Sequence, residues 1–160
     1  MAAQHLIQEY PVGLEIISGW LKSGAIGLLE KNDDVFQILF PRLDLLTGED
    51  IKQLRRNTPF LQQVAQAFPL VMQYYGLYFD GTDLTIVGRL RFWYLFVYGS
   101  SSASPDQTRP EHLRLAQIMR FLHAVQLEFQ YLALRDLAIQ FATLYTQYIP
   151  ASTLQLWRDS

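Results

Sequence analysis

The sequence predicts an all-α fold, a single-domain bundle of about six to seven helices. Three observations carry that expectation. Apolar residues recur at three- and four-residue spacing over most of the chain, helix-capping and helix-stopping residues separate the striped segments, and half of the 160 residues are hydrophobic. This length fits one domain, which buries roughly 70% of its unfolded surface and needs no covalent staple. Residues 1–160 are therefore read as one helical unit.

The elements follow in order. Tyr10-Pro11 opens the first expected helix, with Leu14, Ile17 and Leu21 on one face and Gly24 and Gly27 at its end. Asn32 is expected to cap the second, with Asp33 and Asp34 at the positive end of its dipole. Pro41 forces Phe40 out of the α region and ends it. Thr47 and Asp50 have capping-box spacing, with Ile51 and Leu54 facing inward behind them. Asn57 stops that helix, and Thr58-Pro59 starts the next with Thr as N-cap and Pro at the first helical position. Leu61, Val64, Phe68, Val71 and Tyr75 form the best stripe in the chain, and Gly76 is its natural C-cap. Pro69 lies inside the stripe and predicts a kink or break near Phe68.

Asp80-Gly81 is a turn signal, and Leu84 to Val87 reads as a short strand, so a β-hairpin is allowed near 78–88. Arg89 to Tyr98 is apolar enough for a buried helix or a buried strand and is read as helix. Residues 99–110, rich in Ser and Pro, are read as a mobile loop. Two helices are expected after it. Pro110 to about Gln126 carries Leu115, Ile118, Leu122 and Val125, and Glu128 to Tyr148 carries Tyr131, Leu134, Ala138, Phe141 and Tyr145, with Pro150 ending it.

Composition removes several classes of function. There is no Cys, which excludes disulfides, thiol nucleophiles and thiolate metal sites and fits a reducing compartment, so a cytoplasmic location is expected. Net charge is −2, so binding to a phosphate backbone would need a local basic patch, and no nucleic acid is expected. No signal segment precedes Tyr10, and the most apolar run, Phe92 to Tyr98, is far below the ~20 residues that span a bilayer. His112 and His123 share a helix face but lie ~16 Å apart along its axis, too far to hold one metal. Asp33 and Asp34 point about 100° apart and do not converge on one ion. His5 is placed near a floppy terminus. Neither a cofactor, a metal site nor a catalytic residue is expected.

Three blocks resemble the conserved region of the opioid growth factor receptor family, which also occurs as a stand-alone domain in bacterial proteins. The first is Leu29-Glu30 followed by Asp33 to Pro41, DDVFQILFP, where Gln37, Leu39, Phe40 and Pro41 match the family's H-x-Y-I-Q-W-L-F-P segment. Asp33, Val35, Phe36 and Ile38 stand in place of its His, Tyr, Ile and Trp. The second is Met72 to Leu77, MQYYGL, similar to an aromatic pair followed by Gly-Leu at a helix end. The third is His112 to Leu122, HLRLAQIMRFL, where Arg114, Ile118 and Leu122 match and Gln117 stands where the family usually has a second Arg. The resemblance covers about 29–141. It implies an all-helical fold and a binding role, without carrying over the peptide from which the family takes its name.

Two functional expectations follow. The leading one is a non-enzymatic interaction module that binds a protein or peptide partner through an aromatic and apolar surface. Tyr74, Tyr75, Tyr78, Trp93 and Tyr94 are its candidate contacts, because aromatic residues dominate interface hot spots. The alternative is a small-anion-binding protein or enzyme that uses Arg114 with nearby carboxylates, Asp34 or Glu111. Gln37, Arg114 and Arg120 are the polar-anchor or anion-binding candidates, with a Glu111–Arg114 pair expected one helical turn apart.

Overall fold

The computed structural model describes residues 2–99 and 108–160 and is mostly helical. The helices are α1 (Ala2–Lys22), α2 (Asp33–Leu39), α3 (Gly48–Arg56), α4 (Thr58–Tyr74), α5 (Arg89–Arg91, continued as the π-helical segment Phe92–Val97), α6 (Pro110–Ala124), α7 (Glu128–Leu144) and α8 (Ala151–Arg158). A 3-10 helix, Ile26–Lys31, joins α1 to α2. Strands β1 (Leu77–Phe79) and β2 (Leu84–Ile86) form the antiparallel hairpin, with Tyr78 opposite Thr85. The expected loop at 99–110 falls largely on residues 100–107, outside the described residues.

α1 packs against α2, α3 and α4, and α6 packs against α7 and α8. One aromatic chain joins the two groups. The Tyr10 ring meets Phe60 at 5.0 Å, Phe60 meets Phe121 at 6.5 Å, and Phe121 meets Phe40 at 6.2 Å, all edge-on. Edge-on rings add about 0.5–1.5 kcal/mol each beyond the area they bury. The buried Tyr10 hydroxyl donates to Leu39 O at 2.9 Å and ties α1 to the end of α2.

Several local expectations are met. Thr47 and Asp50 form the capping box, with Asp50 N donating to Thr47 Oγ1 and Thr47 N to Asp50 Oδ2. Leu54 is buried beneath them, while Ile51 is half-buried. Phe40 turns extended before Pro41 (φ −140°, ψ 77°) and ends α2. Gly76 follows α4 at φ +75°.

Other expectations are corrected. α1 begins at Ala2 and not at Tyr10, so His5 lies within a helix. Pro11 is exposed, which leaves the carbonyl freed by its missing N–H on the wetted side. Of the kink or break expected near Phe68, the break is absent: α4 stays helical from Thr58 to Tyr74 through Pro69, with Phe68, Val71 and Met72 fully buried around the proline. Asn32 does not cap α2 with its side chain, which instead donates to Leu28 O. The cap of α4 is Asn57, whose side chain accepts from Phe60 N, and Thr58 is already helical. Residues 89–97 are helical, as read, but widen into a π-helical segment in which Tyr98 N donates to Trp93 O at 2.8 Å. α7 stops at Leu144, and α8 beyond Pro150 was not expected.

α8 belongs to the core. Trp157 is fully buried, its indole donates to His112 O at 3.1 Å, and its ring meets His112 and Phe96. His112 is itself fully buried. Nε2 faces Phe96 O at 2.9 Å and Val97 O at 3.0 Å, and Nδ1 faces Thr153 Oγ1 at 3.1 Å. Two carbonyls at Nε2 require the proton there, so Nδ1 accepts from the Thr153 hydroxyl. One imidazole thus joins α5, α6 and α8, and burial pushes its pKa down to about 4.

Candidate functional site

The N-terminal half of α6 is helical for plain reasons. Pro110 occupies its first turn, and Glu111 sits at the positive end of its dipole. Leu115, Ile118 and Leu122 face the core, yet Glu111 and His112 in the first turn are buried as well. Arg114 projects from the same turn between α6, α2 and the 3-10 helix. Its Nη1 donates to Glu111 Oε1 at 3.1 Å and to Leu29 O at 3.0 Å, and its Nη2 reaches Asp33 Oδ1 at 3.4 Å. The guanidinium lies 4.7 Å from the centre of the Phe36 ring. This is a locked arginine with three acceptors and an aromatic floor.

Behind the pair lie Tyr74 and Tyr75, with rings 4.9 Å apart. Glu111 Oε2 and both tyrosine hydroxyls are buried, and none completes a hydrogen bond of ordinary length and angle. The hydroxyls are still near enough to Glu111 to favour its charged form. Burial outweighs them and the neighbouring Arg114, and holds the Glu111 carboxyl above the usual carboxylate range. Burial, and next the Glu111 charge, raise both tyrosines.

Three cavities adjoin this network. One of about 490 Å³ is lined by Glu30, Asp33, Gln37, Glu111, Arg114 and Gln117 among others. It shares Glu30 with a cavity of about 360 Å³ bounded by Gly27, Tyr74, Leu90, Arg91, Tyr94 and Leu95. On its other side it shares Leu113 and Gln117 with a cavity of about 540 Å³ bounded by Arg42, Leu43, Asp44 and Arg120. Together they trace a groove along α6 from the α5 end to Arg42. Its rim carries large apolar side chains that water reaches: Leu90 is 90% exposed, Tyr94 52% and Leu113 50%. The Tyr94 hydroxyl donates to Glu30 Oε1 at 3.0 Å across the α5 end. Arg91 donates to Tyr74 O at 3.4 Å, with its guanidinium 5.9 Å from the Tyr74 ring centre.

The expected aromatic contacts do not form one surface. Tyr75 is buried because the stripe that carries it faces the core, and Tyr74 is buried beside it, so neither can present a ring to a partner from the outside. Trp93 is half-buried against Tyr98, Tyr145 and Tyr148. Tyr78 is exposed on β1 and is not a wall of the groove. Tyr94 is the one expected contact on the groove rim.

The polar candidates fare differently. Gln37 Oε1 accepts from Gln117 Nε2 at 3.0 Å, and Gln117 also donates to Phe40 O at 2.5 Å. Arg120 is exposed at the far end of the groove. The expected Glu111–Arg114 pair is present, but the second acid on Arg114 is Asp33, and Asp34 is exposed without a place in this cluster.

Glu30, Leu90 and Leu113 were missed. Leu113 carried a signal, since it falls off the Leu115–Ile118–Leu122 face of its own helix and has no core to reach. Glu30 carried none, because its place depends on where the 3-10 helix meets α5. Among the described residues no group of His, Asp and Glu converges to hold a metal ion, and no helix is long and apolar enough to cross a membrane. No protein-family model, curated protein or solved structure matches the chain.

Proposed function

We propose that this chain is a non-enzymatic helical module that binds an extended peptide segment of a protein partner in the groove along α6, and that it does so in the cytoplasm. One observation carries the reading: three adjoining cavities share walls and are edged by Leu90, Tyr94 and Leu113, which have no core of their own to fill. A linear cleft whose largely polar lining is edged by exposed apolar anchors suits an extended chain, which brings both backbone polar groups and spaced side chains. The resemblance to the opioid growth factor receptor family adds support, because the three blocks that carry it supply this region. Glu30, Asp33 and Gln37 from the first block, Tyr74 from the second and Leu113, Arg114 and Gln117 from the third are among the lining residues.

The test is selection of binding peptides from a random display library, followed by measured affinity against variants. Leu90→Asp and Leu113→Asp should each abolish binding of the selected peptides with the fold unchanged, since both side chains are exposed. Phe129→Asp on the outer face of α7, 70% exposed and away from the groove, should have no effect. Peptides that ignore Leu90 and Leu113 but respond to Phe129 would overturn the reading, as would a library that yields none.

The alternative, a small-anion-binding protein or enzyme using Arg114, draws on one feature, the convergence of Arg114, Glu111 and Asp33 beside a single cavity. Against it stands the state of the guanidinium. Two carboxylates already neutralise it, and an arriving anion would have to displace Asp33 and approach Glu111.

A further inference from the structure

We infer that the Arg42 end of the groove takes an acidic side chain of the bound peptide, Asp or Glu, with its carboxylate on Arg120, and that this contact fixes the direction in which the peptide lies. This rests on reading the groove as a peptide site and adds the chemistry of one anchor.

Four arginines border the three cavities, and three of them are engaged within the fold. Arg91 donates to Tyr74 O at 3.4 Å and lies over the Tyr74 ring. Arg114 holds Leu29 O, Glu111 and Asp33. Arg42 donates to both carboxylate oxygens of Asp44, with Nε to Oδ1 at 3.1 Å. Arg120 makes no hydrogen bond or ion pair among the described residues, yet it lines the cavity of about 540 Å³ with Arg42, Leu43, Asp44, Leu113 and Gln117. The Gln117 amide nitrogen is taken by Gln37 Oε1 and Phe40 O, so the open donors of this cavity belong to Arg120.

Charge is uneven along the groove. The α5-end cavity balances Glu30 with Arg91. The middle cavity sets Glu30, Asp33 and Glu111 against Lys31 and Arg114. At the far end Arg42 and Arg120 face Asp44 alone, which leaves positive charge in excess there. A peptide with an acid near one end therefore has one orientation that pairs it and another that sets it against the carboxylates of the middle cavity. A guanidinium meets a carboxylate through two parallel bonds, and the apolar flanks of Leu43 and Leu113 lower the dielectric around such a pair. One open guanidinium balances one charge, so the second charge of a phosphoryl group would meet Asp44 instead.

The helix also sets the spacing. Leu113, Gln117 and Arg120 share a face of α6, which puts Leu113 and Arg120 about 10 Å apart along the axis. A polyproline-type extended chain rises ~3.1 Å per residue and repeats its face at every third position. The acid is then expected about three positions from the residue that meets Leu113.

The experiment measures affinities of the full chain for peptides selected from the display library, each paired with a copy in which the acid is replaced by its amide. Selected peptides should carry Asp or Glu at that spacing, always on the same side of the apolar residue. Arg120→Gln should weaken the acidic peptide about tenfold at low salt, the worth of a hydrogen-bonded charge pair, and leave the amide copy unchanged. The loss should shrink as salt rises. The thermal midpoint should stay constant, because Arg120 is exposed and bonds nothing it would strand. Arg56→Gln removes an equal charge from the exposed end of α3 and should leave both peptides unaffected.

Equal losses from Arg120→Gln and Arg56→Gln, or equal losses for the acidic and amide peptides, would overturn the inference. So would tighter binding of a copy with phosphoserine in place of the acid. Peptides that depend on Leu90 and Leu113 but carry no acid would sink the Arg120 anchor and leave the groove standing. A library that yields no such peptide removes both.

Discussion

Acid should loosen this fold through a single imidazole. His112 is fully buried, with Nε2 donating to Phe96 O and Val97 O and Nδ1 accepting from Thr153. Burial opposes its charged form first, the Arg109 charge adds to that, and the two carbonyls offset only part. Its pKa is about 4 in the fold against 6.5 in the open chain. The folded value is the lower one, so between these limits the unfolded chain binds the proton that the native state refuses. Stability from this group is therefore complete above pH 6.5 and is lost as pH falls toward 4. Each tenfold difference in proton affinity is worth 1.36 kcal/mol, which makes the loss about 3 kcal/mol, a large part of the ~5–15 kcal/mol that holds a domain together. Urea unfolding of the wild type and of His112→Gln should be compared from pH 7 to pH 4. Other groups contribute to both curves alike. The buried Glu111 carboxyl, held above the usual range, acts in the opposite direction, since its native form gains a proton as pH falls. The stability difference between the two chains should shrink by about 3 kcal/mol on acidification. A difference that stays constant within about 1 kcal/mol, or a His112 ring proton that titrates near 6.5 in the folded chain, would refute the reasoning.

Two further predictions concern the frame around the groove. Gly76→Ala should cost at least about 2 kcal/mol in urea unfolding, because the residue sits at φ +75° and an added Cβ would meet Gly88 O at 2.3 Å, backbone that cannot step aside. Trp157→Ala should cost about 3–5 kcal/mol and leave the His112 carbonyl without its indole donor; a loss under about 1 kcal/mol would mean that α8 is a detachable tail.

Much of the frame was legible because its signals are local. A Thr and an Asp three residues apart, a Pro after Phe40, a Gly after the Val71–Tyr75 stripe, and Asp80-Gly81 each act on their own turn of chain. What escaped is set by neighbours distant in sequence. Nothing near Pro11 or Pro69 says that α1 and α4 will be packed firmly enough to keep a proline inside. α8 has only eight residues, and its Trp157 looks like a terminal surplus until His112 and Phe96 are placed around it. The π-helical turn follows from six consecutive apolar residues that satisfy helix and strand equally well on paper. At the site the aromatic count misled. Tyr74 and Tyr75 were weighed as contacts because aromatic residues dominate interface hot spots, yet the place of Tyr75 on the Leu61–Val71 stripe already pointed to the core. The exposed Leu113 was the better signal, an apolar residue on the wrong face of its own helix.

Arg114 shows how one residue can fit two readings and satisfy only one. In the sequence it is a cation near carboxylates, which suits an anion site as well as an ion pair. In the fold it joins three elements: Leu29 O on the 3-10 helix, Asp33 and the Phe36 ring on α2, and Glu111 on α6. Its charge is spent holding the α2 and α6 walls together. Removing one member of such a pair strands the other, at about 3–5 kcal/mol when both are buried. The opposite wall is held differently. There α5 meets the 3-10 helix through the exposed Tyr94–Glu30 bond and α4 through a long, part-buried contact from Arg91 to Tyr74 O, and an exposed polar contact such as the first contributes about 1 kcal/mol or less. The α2–α6 wall is therefore held by a charged network that reaches into the core, and a rigid wall of that kind keeps the ordering cost of binding low.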